Sequence, residues 1–442
     1  MLSNPFTPAD IASSPDDFFG RAEELATLER SLLKGSVVIE GPIGIGKSSL
    51  LSRGLLAMDG FSSERRAQYT TAVADKGIHT IDHAARLILE NFTNVDERRN
   101  GLKVKLGTIV EIESAELCTF FKEGRHLAAL KRMLEKEYLD RLLGEREMLI
   151  IAVDEADKAP IPLAQLIRSL VTHTQQLGIQ NLRFLLAGVR PFFQQMVAED
   201  AGIRRFFYKT ITLDTMTPEE ASDLVQTKLS LVATTAEQNG LTLVVSPHVV
   251  TRIVSLSGGH PHILQLLGSH LIEHEDEDPD GILDSKDLLN SLRRVCYEDR
   301  AFVYDTTLHH LENHGKLQPL QVLLGMTNES PPGIVSVSFP TEISRDLART
   351  SLEKNTIQWL VEHNILSTHT DGVYGLVDEF LRIRLFLDQL DTTVLPDDAE
   401  RQLIARASTS PFWEPSFNPA ELDNDDDLYV EEDPYKEDND DD

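Results

Sequence analysis

Residues 36–51 read SVVIEGPIGIGKSSLL, in which three β-branched residues lead into Gly41, Gly44 and Gly46 and then into Lys47, Ser48 and Ser49. No other feature constrains the fold as tightly. A strand must feed a loop whose backbone N–H groups converge on something negative, and a helix must follow with its positive end aimed at the same point. The spacing is G-x-x-x-x-G-K-[ST], a phosphate-binding loop. Gly41, Pro42, Ile43, Gly44, Ile45 and Gly46 would supply the backbone cradle. Lys47 would reach the β- and γ-phosphates, Ser48 would ligate Mg²⁺, and Ser49 continues the first helical turn.

Such a loop needs an acid on the metal side. MLIIAVDEAD, residues 148–157, is a continuous apolar run ending in carboxylates, as expected of a strand buried on both faces of a parallel sheet. Asp154 would hold the Mg²⁺ shell from the end of that strand. Glu155 is placed to deprotonate the attacking water, and Asp157 reads as a cap or supporting group.

Strands and helices alternate around these motifs. Leu25, Leu28 and Leu32 mark one face of a helix before the loop, and KSSLLSRGLLAM starts the helix after it. RAQYTTAVA, VKLGTIVEIES, LRFLLAGV and YKTITL read as further strands. TIDHAARLILENFTNV, HLAALKRMLEKEYLDRLLGE, IPLAQLIRSLVTHTQQLG and RPFFQQMVAED read as helices. The pattern predicts an α/β, doubly wound parallel sheet. Beyond it the chain turns mainly helical, with a break at Gly258-Gly259. A hairpin, ILSTHTDGVYGLVD, is expected around Asp371-Gly372, so that helices and a hairpin give the outline of a winged helix.

Charge narrows the partners. The formal net charge is −30, and residues 421–442 hold thirteen acids against one base, Lys436. General attraction to nucleic acid or an anionic membrane is therefore disfavoured. The helix SLEKNTIQWLVEHN carries Lys354 against Glu353 and Glu362, and STHTDGVYG has no Lys or Arg, a poor DNA-reading surface. Arg345, Arg349, Arg382 and Arg384 offer at most a weaker face. The tail reads either as a solubilising segment or as a peptide that docks through Leu428, Tyr429 and Val430. Two distant cysteines, Cys118 and Cys296, support no disulfide framework. With no basic and apolar leader and no run of about 18–20 apolar residues, a cytoplasmic location and no membrane span are expected.

These motifs together resemble the AAA+/STAND class of P-loop ATPases, over about residues 15–390 and most of all its archaeal-type and origin-recognition-like branch. FFGRAEEL resembles the box that precedes the P-loop there, and the resemblance implies that the turn at Gly20 and Arg21 lies near the adenine. LRFLLAGVRP resembles the sensor-1 strand, which makes Arg190 the γ-phosphate sensor; a planar guanidinium binds phosphate well and keeps its charge. IRRFFYKTITL fills the slot of a trans-acting arginine finger, giving Arg204 or Arg205 that role in a nucleotide-dependent homo-oligomer. SGGHPHILQLLG resembles the lid motif, but with the G-x-P of STAND proteins at Gly259, His260 and Pro261 in place of a sensor-2 arginine. That departure favours a switch over a processive motor.

The expected domains are a P-loop NTPase domain over 1–215, a helical lid over 216–282, a winged-helix-like domain over 283–395 and an acidic disordered tail over 396–442. The expected function is that of a slowly hydrolysing ATP-dependent switch, with ATP and Mg²⁺ as cofactors and a protein as partner. The alternatives are a DNA-binding initiator- or transposition-type ATPase, and a scaffold that binds nucleotide without hydrolysing it.

Overall fold

The structure is a computed structural model. It describes residues 2–323 apart from 13, 60–66, 97–102, 107–109, 113–119, 121–122 and 278, and then 351–389 apart from 364, 371–372 and 377–379. The expected acidic tail, Arg345, Arg349 and the tip of the expected hairpin lie outside these residues. So does 324–350, part of what a winged helix would require. The chain divides into two compact units, Thr7–Leu224 with His260–His262, and Met1–Phe6 with Val225–Gly259 and Ile263–Asp442.

The first unit is built on a five-stranded sheet. β1 (Ser36–Glu40), β2 (Ala67–Val73), β6 (Met148–Asp154), β7 (Leu182–Gly188) and β8 (Phe207–Thr212) lie in the order β2-β6-β7-β1-β8. Every pairing is parallel. Because side chains alternate across a strand, each apolar run serves both faces. In β6, Leu149, Ile151 and Val153 join one hydrophobic cluster, while Met148, Ile150 and Ala152 join the other. The second face is covered by α1 (Ala22–Leu32) and α2 (Lys47–Asp59), which add Leu28, Leu32, Leu50 and Leu55. The first is covered by α3 (Ile81–Phe92), α4 (His126–Met133), α5 (Lys136–Leu143), α6 (Pro160–Gln176) and α7 (Phe192–Glu199).

Two expectations need correction. HLAALKRMLEKEYLDRLLGE is not one helix, since extended backbone at Glu135 separates α4 from α5. Both pieces bury their apolar stripe in the same cluster, so the 3.6-residue period runs through the break unmarked. VKLGTIVEIES does not join the main sheet either. It forms β4 (Lys103–Leu106) and β5 (Val110–Ile112), which with β3 (Thr93–Asp96) make a separate antiparallel sheet.

The second unit is mostly helical. It holds the later turns of α8 (Pro218–Gln238), then α9 (Pro247–Ser257) and α10 (Pro261–Glu277), separated where expected by Gly258 and Gly259, both at positive φ. The first residues of the chain are pinned here: Lys228 Nζ donates to the Pro5 carbonyl at 2.6 Å, and Asn4 Nδ2 donates to Ser269 Oγ at 2.9 Å. Helices α11 (Ser285–Arg294), α12 (Ala301–Asn313), α13 (Leu317–Leu323) and α14 (Ser351–Glu362) follow. The hairpin of β9 (Leu366–Thr370) and β10 (Val373–Leu376) leads to α15 (Phe380–Gln389). Tyr297 donates to Asp388 at 2.8 Å and Arg384 donates to the Cys296 carbonyl at 3.0 Å, tying α15 to the turn between α11 and α12. Among the described residues, no helix is long and apolar enough to cross a membrane.

Candidate nucleotide site

In an open parallel sheet, ligands settle at the carboxyl ends of the strands, where neighbouring connections diverge. The ends of β1, β6, β7 and β8 meet this description, and the glycine loop, the acid pair and Arg190 stand at the ends of β1, β6 and β7. β1 is buried throughout and runs straight into the glycine loop. A Cβ on Gly41 would stand 2.8 Å from the Leu213 carbonyl and 2.9 Å from Ile45 Cγ2, so the loop begins where only a bare backbone fits. Ile45, fully buried, anchors the loop from below, while Ile43 at its tip is exposed.

Lys47 opens α2, and its Nζ donates to the carbonyls of Gly41 at 3.1 Å and Pro42 at 2.5 Å. Burial lowers the pKa of this ammonium, while the charges of Asp154, Asp157 and Glu155 push it back up. The lysine of the loop and the acids at and after the end of β6 therefore lie close enough for their charges to interact, although the segments are about a hundred residues apart in sequence. β7, paired to both β1 and β6, sets the gap between them.

The acid turn is tightly arranged. Asp154 Oδ1 accepts the N–H of Glu155 at 2.8 Å, and Glu155 itself sits at φ 50°, ψ 34°. It is the one non-glycine residue with positive φ among those described, a conformation that a side chain with a Cβ adopts at a cost of order 1–2 kcal/mol. Asp157 turns inward, where its Oδ1 accepts the N–H of Val189 at 2.9 Å.

Arg190 follows β7, and its Nη2 lies 3.8 Å from Asp214 Oδ1, just past the end of β8. Gly20 and Arg21 stand at the entry to α1. Gly20 turns at φ 62° against Glu220, and the Arg21 guanidinium, 6% exposed, donates to the Asp214 carbonyl and to Glu24. Arg21 fastens the chain ahead of the loop. Arg205 precedes β8, at the amino end of the sheet, with its guanidinium over the Phe206 ring. The six residues of β8 span about 20 Å, so Arg205 cannot serve the loop of its own chain.

The turn at Pro261 does meet the loop. His260 Nε2 lies 3.0 Å from the Ile43 carbonyl, and His262 Nδ1 lies 3.1 Å from the Pro8 carbonyl. Ala12 donates to Ser49 Oγ at 3.1 Å, so residues 8–12 run beside the loop as well. These contacts depend on chain paths that no local spacing encodes.

Glu40 is the residue that sequence reasoning passed over. It ends β1 one position before Gly41, is 8% exposed, and accepts the N–H of Phe193 at 3.2 Å. Burial raises its pKa, against the opposing pull of that hydrogen bond and of Arg190. A lone acid closing an apolar strand was the available signal.

The family model described as novel STAND NTPase 1 matches residues 5–287. No curated protein matches the chain. Among solved structures it is similar to a Walker-type ATPase of Pyrococcus abyssi, at TM-score 0.53 and 15% identity, over 85% of this chain and 98% of that one. It is also similar to the Aeropyrum pernix ORC2 protein in its ADPNP–ADP complexes, at TM-score 0.51 and 13% identity, over 92% and 99%.

Proposed function

The chain belongs to the novel STAND NTPase 1 family, and from that premise we propose that it is an ATP-dependent switch that hydrolyses its nucleotide slowly, with Mg²⁺, and acts on a protein partner. The observation that carries this reading is the placement of Lys47 and of Asp154, Glu155 and Asp157 on either side of β7 at the carboxyl edge of one parallel sheet, close enough for their charges to act on one another. The backbone from Ile43 to Gly46 supplies N–H donors for the phosphates, and Lys47 shifts from the carbonyls of Gly41 and Pro42 to phosphate oxygens.

A hydroxyl and a carboxylate, Ser48 and Asp154, are the hard oxygen donors that Mg²⁺ takes when phosphates supply others. Bound there, the ion would neutralise charge on the β- and γ-phosphates. Glu155 takes the proton of the attacking water, and Arg190 stabilises charge that develops on the terminal phosphate. Gly259-His260-Pro261 reports the loop's state to the helical lid over 216–282. The net charge of −30 favours a protein surface over a nucleic-acid backbone as the partner. Arg205 works only in a stack of copies, where it meets the site of a neighbour.

Phosphate release by wild type, Lys47→Ala and Glu155→Gln in the presence of Mg²⁺ decides the enzymatic claim. Lys47→Ala should weaken nucleotide binding roughly 10- to 100-fold. Glu155→Gln should keep binding and lose about 10²–10⁴ in rate. Equal rates in all three would sink it.

A further inference from the structure

The order β7-β1-β8 puts the end of β1 between the two anchor points of Arg190. Glu40 pairs with Gly188 on one side and with Thr212 on the other. Arg190 stands two residues beyond Gly188, and Asp214 stands two beyond Thr212. A guanidinium that starts from β7 and comes within 3.8 Å of Asp214 passes the carboxyl end of β1, and its charge acts on the Glu40 carboxylate there. Strands about 4.8 Å apart make that crossing about 10 Å, within the reach of an arginine.

The two acids along this path differ. Asp214 is 77% exposed and its pairing with Arg190 is screened by water, so it holds the arginine weakly. Glu40 is almost fully buried, where charge interactions are stronger, and its carboxylate is fixed at the start of α7 by the Phe193 N–H.

We infer that Glu40 is a positioning residue for Arg190: its buried charge draws the guanidinium across the end of β1 towards Asp214, and the terminal phosphate of a bound nucleoside triphosphate competes for that guanidinium. The inference rests on the P-loop ATPase reading and adds a threshold to it. Arg190 leaves this place only for a ligand that carries a third phosphate, so the attraction of Glu40 sets how far ATP is favoured over ADP. No step in this competition makes or breaks a covalent bond.

The test uses the full chain, with ATP and ADP as probes in Mg²⁺ buffer, and reads the ratio of the two affinities. Glu40→Gln keeps an oxygen to accept the Phe193 N–H and removes the competing charge. It should tighten ATP roughly 5- to 20-fold while ADP stays within about 2-fold of wild type. The gain should vanish when Arg190→Ala is added, an epistasis that a merely structural role for Glu40 would not produce. Asp214→Asn should leave the ratio within about 2-fold, since an exposed pair contributes little.

An unchanged ratio in folded Glu40→Gln overturns the inference, as does a gain that survives Arg190→Ala. An equal gain from Asp214→Asn overturns it as well, and this variant answers even if Glu40→Gln does not fold. Should wild type bind nucleotide in a Lys47-dependent way while Glu40→Gln changes nothing, only this inference falls. Should wild type bind neither nucleotide, the P-loop reading itself falls.

Discussion

Asp157 accepts the backbone N–H of Val189 at 2.9 Å, which fastens the turn after β6 to the end of β7. The joint has no slack, because a Cβ on Gly188 would come within 3.0 Å of both the backbone nitrogen and Oδ1 of Asp157. Whatever moves Glu155 therefore moves the backbone that carries Arg190. The water-handling acid and the phosphate-sensing arginine of the proposed mechanism ride on one rigid piece.

Asp157→Ala should break that piece. It strands the Val189 N–H in a partly buried position and should cost about 1–3 kcal/mol of stability, read by urea unfolding. Hydrolysis should fall further than ADP affinity, since ADP makes no use of Arg190. Equal losses in both would place Asp157 in the fold alone.

Glu155 sits in the left-handed region, where glycine is at ease. Glu155→Gly should leave the melting temperature unchanged or raise it, by up to about 1 kcal/mol of stability. Phosphate release should drop by about 10²–10⁴. A large fall in stability would mean that the glutamate side chain supports the turn.

For Glu40 the pH dependence has a definite sign. Burial raises its folded pKa above the ordinary 4.5, so the anion is penalised in the folded state only. Below 4.5 the residue is protonated in both states and contributes nothing. As pH rises from there through the folded pKa, the unfolded chain ionises freely, the folded chain resists, and wild type loses stability. Glu40→Gln should match wild type in thermal midpoint at pH 4 and exceed it at pH 7. A constant difference between the two proteins across that range would contradict the assignment.

Gly44 combines φ 76° with a crowded neighbourhood, in which an added Cβ would lie 2.9 Å from His260 Cε1 and 3.0 Å from His262 Cβ. Gly44→Ala should push the His260 turn off the Ile43 carbonyl and weaken nucleotide binding at least about 10-fold, measured by calorimetry. Wild-type affinity in this variant would show that the turn is not needed against the loop.

Much of the site was legible locally. The G-x-x-x-x-G-K-S spacing, the apolar strand ending in Asp154-Glu155 and the Gly258-Gly259 break are short-range patterns. The backbone geometry they demand is met within a few residues, so the sequence alone determined the loop, the acid strand and the doubly wound class. Periodicity misjudged α4 and α5 because a single extended residue leaves no mark on an apolar stripe that both halves share. It misplaced 103–112 because alternation marks a strand without saying which sheet takes it.

Tertiary structure alone decided which groups meet. The strand order put β7 between β1 and β6, brought Asp157 to Val189 and brought Arg190 to Asp214. The same order sent Arg205 to the far end of the sheet and turned Arg21 inward to the Asp214 carbonyl. A charge in a sequence has no partner until the sheet assigns its neighbours, and burial, which makes Glu40 differ from the exposed Asp214, exists only once the strands have packed.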